Sequence, residues 1–216
     1  MAIRARPVFL LDLDGTLVDP WEGMAASCRH ALASFGVFPS HDDELRRMVG
    51  PPIRQAFGEL LGGRGDVEEA IRLYRARYGE LGLYQATVYA GIRETLAALF
   101  ERGTRLMLCT SKSRVFAQRV VDHFGLSSVL SGVYGAELDG RFDDKGELIG
   151  HILAAEGLRP DDVCMVGDRK HDVLGAARHG APTIGVLWGF GGRQELEAAG
   201  AALVVETPHQ LLPSTR

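Results

Sequence analysis

The chain has 216 residues, of which 46% are hydrophobic and 24% charged, and its formal net charge is −4. This composition is that of an ordinary globular protein and excludes disordered, collagen-like and coiled-coil chains. The acidic balance argues against a nucleic acid polymer as partner, since such proteins normally carry a basic excess. No apolar run approaches the roughly 20 residues that span a bilayer, and the 3 cysteines make no disulfide framework. We therefore expect a cytoplasmic protein with no membrane partner.

Short apolar runs alternate with segments of helical periodicity over most of the chain. The first run covers residues 8–11, between Pro7 and Asp12. Later runs lie at 105–109, 163–166, 183–187 and 202–205, with a shorter piece at 133–134. Alternating short strands and helices predict βαβ units, which build a parallel sheet covered by helices on both faces. The fold class expected is therefore α/β.

A purely helical stretch interrupts this alternation after the first strand. Apolar residues recur at helical spacing from Met24 to Phe35, and further helices are predicted at 42–49, at 51–61 and after Asp66. No strand pattern occurs between these helices. We therefore predict two domains. They are an α/β core formed by residues 1–17 and 89–216, and a small all-helical domain, residues 18–88, inserted between the first and second strands of the core.

Two carboxylates follow the first predicted strand. Asp12 and Asp14 are two residues apart, so an extended chain points both side chains to the same side. Gly15 allows a tight turn, and the freed backbone N–H groups around Gly15 and Thr16 can face a bound anion. Asp, Gly and Thr are also common in ordinary turns, which is the alternative interpretation of this segment.

Hydroxyl groups follow the second strand of the predicted sheet. Thr110, Ser111 and Lys112 come directly after residues 105–109, and a helix is predicted to begin near Ser113. A hydroxyl and free N–H groups at the start of a helix favour a bound phosphate. The alternative is that these residues only cap the helix.

Further carboxylates and a lysine occur later in the chain. Asp168 follows the run at 163–166, Asp172 lies one helical turn further, and Lys145 precedes a predicted helix. Because the carboxyl ends of parallel strands meet at one edge of a sheet, we expect these carboxylates to lie near Asp12. An all-oxygen cluster of this kind suits Mg²⁺. The structural alternative is a helix cap at Asp168, a salt bridge from Asp172 and a solvated Lys145.

Together these residues supply the groups that phosphoryl transfer needs. A carboxylate can act as a covalent nucleophile by forming an aspartyl-phosphate, and a second carboxylate two residues away can give and take the proton. A metal ion, a lysine and hydroxyl groups stabilise charge on the transferred group. Those roles are covered by Asp12, Asp14, Thr110, Lys145, Asp168 and Asp172.

Four segments in this order resemble the motifs of the haloacid dehalogenase-like hydrolase superfamily, on its phosphatase side. They are LLDLDGTLVD, MLCTSK, Lys145 and VGDRKHD, and the resemblance covers nearly the whole chain. It implies a Rossmann-like core sheet. It also implies that the helical domain is the cap that these enzymes place after the first motif.

The resemblance assigns a role to each of the residues in these motifs. Asp12 would be the nucleophile, and Asp14 would be the acid–base group and bind the metal through its backbone carbonyl. Thr110 and Lys145 would hold the phosphoryl group. The Mg²⁺ site would be formed by Asp12, Asp14, Asp168 and Asp172. The remaining substrate-binding residues would be Gly15, Thr16, Ser111, Lys112, Arg54 and Gly50.

Three other segments bear on the substrate. The overall pattern is similar to that of phosphoglycolate phosphatases, whereas VGPPIRQAFGELLG, ATVYAGI and GVLWGFGG resemble a branch described as 5′-nucleotidase-like. In relatives the stretch matching residues 50–54 reaches over the active site, so Arg54 is predicted to set specificity. The alternative is a surface arginine. Many relatives have Lys-Pro at the third motif, whereas Gly146 follows Lys145 here.

The function expected is a Mg²⁺-dependent phosphatase that hydrolyses a small phosphomonoester through an aspartyl-phosphate, similar to phosphoglycolate phosphatase. A 5′-nucleotidase of the same superfamily is the alternative, followed by a phosphomutase or a non-catalytic binding module. A dehalogenase needs neither a second carboxylate nor a metal, so Asp14 argues against it. Trp188 and Phe190 follow a predicted strand and are interpreted mainly as packing residues. We expect a monomer or homodimer.

Overall fold

The computed structural model describes residues 8–46 and 52–213. The chain divides into two compact units. Unit 1 contains the described residues up to Asp19 and from Val88 onwards, and unit 2 comprises Pro20–Thr87. Among the described residues, no helix combines the length and the hydropathy of a bilayer-spanning segment.

The described residues form two sheets. The strands are β1 (Val8–Leu11), β2 (Val18–Asp19), β3 (Thr87–Val88), β4 (Arg105–Ser113), β5 (Gly132–Ala136), β6 (Val163–Gly167), β7 (Thr183–Val186) and β8 (Leu203–Val205). Six of them form the main sheet, in the order β5-β4-β1-β6-β7-β8, and its pairings are parallel. β2 and β3 pair in a separate ladder. The predicted α/β fold with a parallel sheet is confirmed.

Strand β1 lies inside the sheet, between β4 and β6. Its last residue, Leu11, is in register with Leu108 on one side and Val166 on the other. All four residues of β1 are buried, as expected for a parallel strand with helices on both faces. The register brings the ends of β1, β4 and β6 to the same edge of the sheet.

In the described part of unit 1, five α-helices accompany the sheet. They are α5 (Ile92–Glu101), α6 (Arg114–His123), α7 (Lys145–Ala155), α8 (Lys170–Ala177) and α9 (Arg193–Ala199). In one core cluster, Ile149 and Ile152 of α7 belong with Leu10, Met107 and Met165 of three adjacent strands. Burying an apolar side chain of this size stabilises the fold by about 1.5–3 kcal/mol.

The described residues of unit 2 form four α-helices, α1 (Trp21–Ala33), α2 (Asp42–Arg46), α3 (Ile53–Leu61) and α4 (Val67–Glu80), and a short 3-10 helix at Gly82–Tyr84. Asp66 caps α4, because its side chain accepts hydrogen bonds from the backbone N–H groups of Glu68 and Glu69. The ring of Tyr74 stacks on Tyr78 and meets Phe57 edge to face. The end predicted for the helix at 42–49, and the start predicted for the one at 51–61, lie outside the described residues.

Strand β4 is longer than the sequence pattern predicts. It was expected to end at Cys109, but it continues to Ser113, with a register shift between Thr110 and Ser113. The added residues are polar, so the apolar pattern does not reveal them, whereas their backbone still pairs with β5. A Cβ atom on Gly135 of β5 would lie 2.6 Å from the carbonyl oxygen of Lys112. A glycine is therefore needed at this close approach.

Candidate active site

The turn after β1 carries the first two carboxylates. Asp12 is 9% exposed, and its backbone N–H donates to the carbonyl of Val166 at 2.9 Å, which fixes it to the neighbouring strand. Gly15 adopts a φ of +85°, a conformation that L side chains rarely adopt. A Cβ atom there would also lie 2.3 Å from Oδ2 of Asp168. Backbone geometry and space therefore both require a glycine at this position.

Three carboxylates gather at the shared edge of the sheet. Asp12, Asp168 and Asp172 each offer an oxygen, and these oxygens all lie within 4.8 Å of one another. Asp168 is fully buried and Asp172 is 1% exposed. Burial, followed by the charges of Asp172 and Asp12, raises the pKa of Asp168 to about 8.

Asp172 has both a structural role and a place in this cluster. It accepts a hydrogen bond from the backbone N–H of Arg169 at the start of α8, and with Lys145 it forms the salt bridge that the structural alternative assigns to it. Burial raises its pKa to about 6, although Lys145 opposes the shift. A divalent cation would relieve the repulsion between these carboxylates, and oxygen donors are the ligands that Mg²⁺ prefers. The cluster therefore fits a metal site.

Lys145 is the cation of the site, and it is 5% exposed. Its Nζ lies 3.0 Å from Oδ1 of Asp12 and 2.9 Å from Oδ1 of Asp172, and it donates to the carbonyl of Cys109 at 3.0 Å. Burial opposes its charge, but the carboxylates of Asp12 and Asp172 outweigh burial and raise its pKa above the ordinary value. The two carboxylates therefore favour the charged ammonium form of Lys145.

Gly146 leaves room for the side chain of Arg178. A Cβ atom on Gly146 would lie 2.6 Å from Nη1 of Arg178. That guanidinium donates to Asp144, whose side chain caps α7 by accepting from the backbone N–H of Glu147. His179 adds a second link, with Nε2 2.7 Å from the carbonyl oxygen of Gly146. Residues at the end of α8 thus hold the start of the helix that begins with Lys145.

Asp14 forms an ion pair with Lys112. Nζ of Lys112 donates to Oδ1 of Asp14 at 2.6 Å, and the two side chains are 7% and 16% exposed. Burial raises the pKa of Asp14, and Lys112 opposes this shift. The hydroxyl of Thr110 is buried in the same region and accepts from the backbone N–H of Lys112 at 3.2 Å. Ser111 lies in β4 between Thr110 and Lys112 and is half-buried.

The residues predicted by motif therefore separate into three groups. Those brought to one edge of the unit 1 sheet are Asp12, Asp14, Gly15, Thr16, Thr110, Ser111, Lys112, Lys145, Asp168 and Asp172. Arg54 lies in unit 2, on α3, where its Nε donates to Glu68 at 2.8 Å. Gly50 lies outside the described residues.

Two residues of the site were not predicted as polar contacts. The indole Nε1–H of Trp188 donates to the carbonyl of Thr16 at 2.9 Å, and the backbone N–H of Phe190 donates to Oδ2 of Asp168 at 2.8 Å. The interpretation of both as packing residues is therefore incomplete. The sequence feature that could have indicated these contacts is the glycine-rich string GVLWGFGG at the end of a core strand. Glycines permit the backbone to approach other groups closely.

The model of the haloacid dehalogenase-like hydrolase family matches residues 9–186. The chain belongs to this family. The match includes the turn after β1, Lys145 and both later aspartates, so the family resemblance expected from the motifs is confirmed.

Several curated proteins are similar to this hydrolase. A 5′-nucleotidase from Pseudomonas aeruginosa is 44% identical over 193 residues, covering 89% of this chain and 87% of that protein. Tyrosine-protein kinase PtkA from Mycobacterium tuberculosis is 40% identical over 182 residues, covering 84% of this chain but 62% of the kinase. A phosphoglycolate phosphatase from Agrobacterium fabrum is 31% identical over 191 residues, covering 85% of this chain and 82% of that enzyme.

Solved structures agree with this assignment. The crystal structure of a predicted phosphatase from Clostridium acetobutylicum superposes with a TM-score of 0.90 at 34% identity, covering 96% of this chain and 97% of that one. The family, the phosphatase names of its relatives and the shared fold identify the chain as a phosphatase of the haloacid dehalogenase-like family.

Proposed function

We propose that this hydrolase is a Mg²⁺-dependent phosphatase that cleaves a small phosphomonoester through an aspartyl-phosphate on Asp12. The observation that carries the proposal is the position of Asp12, beside the buried ammonium of Lys145 and within the carboxylate cluster with Asp168. A phosphoryl group next to Asp12 would meet both a fixed positive charge and a metal site. Such fixed charges stabilise the transition state of phosphoryl transfer.

The metal would be held by Asp12, Asp168 and the backbone carbonyl of Asp14, with Asp172 supporting the site. When bound, Mg²⁺ neutralises charge on the transferred phosphoryl group. The close approach of the three acidic side chains and the pKa of Asp168 raised to about 8 support a cation at this place.

In the proposed first step, a carboxylate oxygen of Asp12 attacks phosphorus and the bond to the ester oxygen breaks. Asp14 gives its proton to the departing oxygen, so the alcohol leaves neutral. Burial raises the pKa of Asp14, which favours the protonated form that this step needs. Lys112, paired with Asp14 at 2.6 Å, orients the carboxyl group.

In the proposed second step, water attacks the phosphorus of the aspartyl-phosphate. The Asp14 carboxylate, now without its proton, accepts a proton from that water, and inorganic phosphate leaves as Asp12 is regenerated. Thr110, Lys145, and the residues Gly15, Thr16 and Ser111 would hold the phosphoryl oxygens throughout. The burial of Thr110 and Lys145 supports this role, because hydrogen bonds and charges act more strongly away from water.

Two substrates are candidates. The motif pattern favours phosphoglycolate, whereas the 44% identity to a relative named 5′-nucleotidase favours nucleoside 5′-monophosphates. We rank the nucleotides first, because the relative named phosphoglycolate phosphatase is only 31% identical. Unit 2 is proposed to act as the cap domain that selects the substrate, with Arg54 and Gly50 in that role. A cytoplasmic location and a monomeric or homodimeric state stay predictions of the sequence.

Phosphate release tests this proposal. The assay compares nucleoside 5′-monophosphates, 2-phosphoglycolate, hexose phosphates and p-nitrophenyl phosphate, each with Mg²⁺ and with a chelator. The proposal expects turnover that requires Mg²⁺ and is lost in Asp12→Asn. Faster turnover of 2-phosphoglycolate than of any nucleotide would reverse the ranking of substrates. Absence of release from every compound by the folded protein would contradict the phosphatase proposal and favour a mutase or a binding module.

A further inference from the structure

The segment after β7, residues 188–191, contacts both loops that carry the proposed metal ligands. The indole N–H of Trp188 donates to the carbonyl of Thr16 at 2.9 Å, on the turn that begins at Asp12. Two residues later, the backbone N–H of Phe190 donates to Oδ2 of Asp168 at 2.8 Å. One short segment therefore holds the nucleophile turn and an acidic side chain from a different strand.

The two glycines of this segment show how tightly it is fitted. A Cβ atom on Gly189 would lie 2.2 Å from the carbonyl oxygen of Gly15 and 2.5 Å from Oδ2 of Asp168. A Cβ atom on Gly191 would lie 1.8 Å from the backbone oxygen of Asp168. No side chain fits at either position. The segment thus lies in direct contact with both loops, and its position limits how far apart they can move.

We propose that Trp188 is a positioning residue for the metal site. Its indole N–H holds the turn of residues 12–16 at the separation from Asp168 that lets both carboxylates reach one cation. This inference rests on the proposed function, since it concerns the metal of that site. In this role Trp188 acts through the carbonyl of Thr16 and is not itself a metal ligand. The loss of a hydrogen bond made by a residue outside the set of metal ligands typically changes metal affinity by about 10- to 100-fold.

The hydrogen bond separates this role from simple packing. A phenylalanine at position 188 keeps an aromatic ring but has no N–H donor, so Trp188→Phe removes the bond to Thr16 and most of the packing remains. The chain has 2 tryptophans, and the other one, Trp21, lies on α1 in unit 2. Trp21→Phe is therefore a matched control for the same chemical change.

The test is calorimetric titration of the full-length protein with Mg²⁺ in the absence of substrate. We expect Trp188→Phe to bind Mg²⁺ about tenfold more weakly than the wild type, and Trp21→Phe to bind it equally well. In the phosphatase assay, the Mg²⁺ concentration for half-maximal activity should rise by the same factor, with kcat near the wild-type value at saturating Mg²⁺. If Trp188 contributed only packing, Trp188→Phe would lower the thermal stability. It would leave the Mg²⁺ affinity and the Mg²⁺ concentration for half-maximal activity unchanged.

The possible outcomes distinguish this inference from the proposed function. If the wild type binds Mg²⁺ and Trp188→Phe binds it equally, the inference is wrong and the proposed function stands. If the wild type binds no Mg²⁺, the metal-dependent function fails and the inference fails with it.

A second measurement does not depend on the folding of Trp188→Phe. In Trp21→Phe, Trp188 is the sole tryptophan, so its fluorescence reports on the indole beside Thr16. We expect its emission to change on Mg²⁺ addition and to saturate at the calorimetric Kd. Constant emission while calorimetry records binding would overturn the inference.

Discussion

The ammonium of Lys145 lies 3.0 Å from Oδ1 of Asp12, and both groups are almost fully buried. The same nitrogen lies 2.9 Å from Asp172. One cation therefore faces two carboxylates that would otherwise repel each other in a poorly solvated environment. This relationship places a positive charge between the proposed nucleophile and a second acidic group, and its removal has consequences for both stability and activity.

Lys145→Met should destabilise the metal-free protein and nearly abolish activity. Removing one partner of a buried ion pair leaves uncompensated charge and typically costs about 3–5 kcal/mol. Loss of the fixed charge beside the phosphoryl group should lower kcat by at least about 100-fold. The measurements are urea unfolding in chelator and phosphate release at saturating Mg²⁺. Lys170→Met is the control, because Lys170 is exposed, and wild-type kinetics in Lys145→Met would refute the assigned role.

Gly146 and Arg178 should be energetically coupled. Gly146→Ala places a methyl group where the guanidinium of Arg178 lies, so the arginine must leave its pairing with Asp144. In the Arg178→Ala background the same methyl group meets no guanidinium and should only improve helix propensity. We expect a coupling energy of about 0.5–1 kcal/mol in a double-mutant cycle, measured by urea unfolding. Additive effects of the two substitutions would show that the position of the Arg178 side chain does not require a glycine at position 146.

The grouping of the candidate site residues in unit 1 could be predicted from the sequence, because each motif is a local string at a strand end. Asp12 and Asp14 share one turn, and the hydrophobic run before them identifies the strand. The bond between Trp188 and Thr16 could not be predicted, since it joins residues 172 positions apart. The pattern of apolar residues indicates that β1 and β7 end at the same edge of the sheet. It does not indicate which side chain donates a hydrogen bond to which carbonyl.

Other features escaped prediction because they depend on backbone pairing or on distant side chains. Strand β4 was predicted to end at Cys109, because the polar residues 110–113 at its end break the apolar pattern. The strands β2 and β3 are two residues each, too short for any period to appear. Lys112 was assigned to substrate on the resemblance alone, and its pairing with Asp14 required a contact across 98 positions.

Mg²⁺ should stabilise the folded protein in the absence of substrate. A ligand present at about 100 times its Kd adds roughly 2.7 kcal/mol, which corresponds to a rise in Tm of roughly 5–10 °C for a chain of this size. Asp168→Asn should lose most of this shift, because it removes one charge from the proposed ligand set. The measurement is thermal unfolding with Mg²⁺ or with NaCl at matched ionic strength. Equal Tm values in the two salts would count against a metal site.

Arg54→Ala should raise KM or change the order of preferred substrates, without altering the Mg²⁺ requirement. The prediction follows from the family resemblance, which implies that the stretch matching residues 50–54 reaches over the active site. Arg72→Ala is the matched control. Arg72 forms an ion pair with Glu69 on α4, and Arg54 on α3 forms a comparable ion pair with Glu68. If the two variants gave identical KM values across the substrate panel, Arg54 would be an ordinary surface residue.

The proposed covalent intermediate on Asp12 can be detected directly. The enzyme is mixed with substrate and Mg²⁺, quenched in acid during turnover and treated with borohydride, which reduces an acyl phosphate to an alcohol. The account predicts homoserine at position 12 in the digested protein, by mass spectrometry, and unmodified Asp12 when substrate is omitted. Phosphate release with Asp12 unmodified under the same conditions, or homoserine at another aspartate, would contradict the assignment of Asp12 as nucleophile.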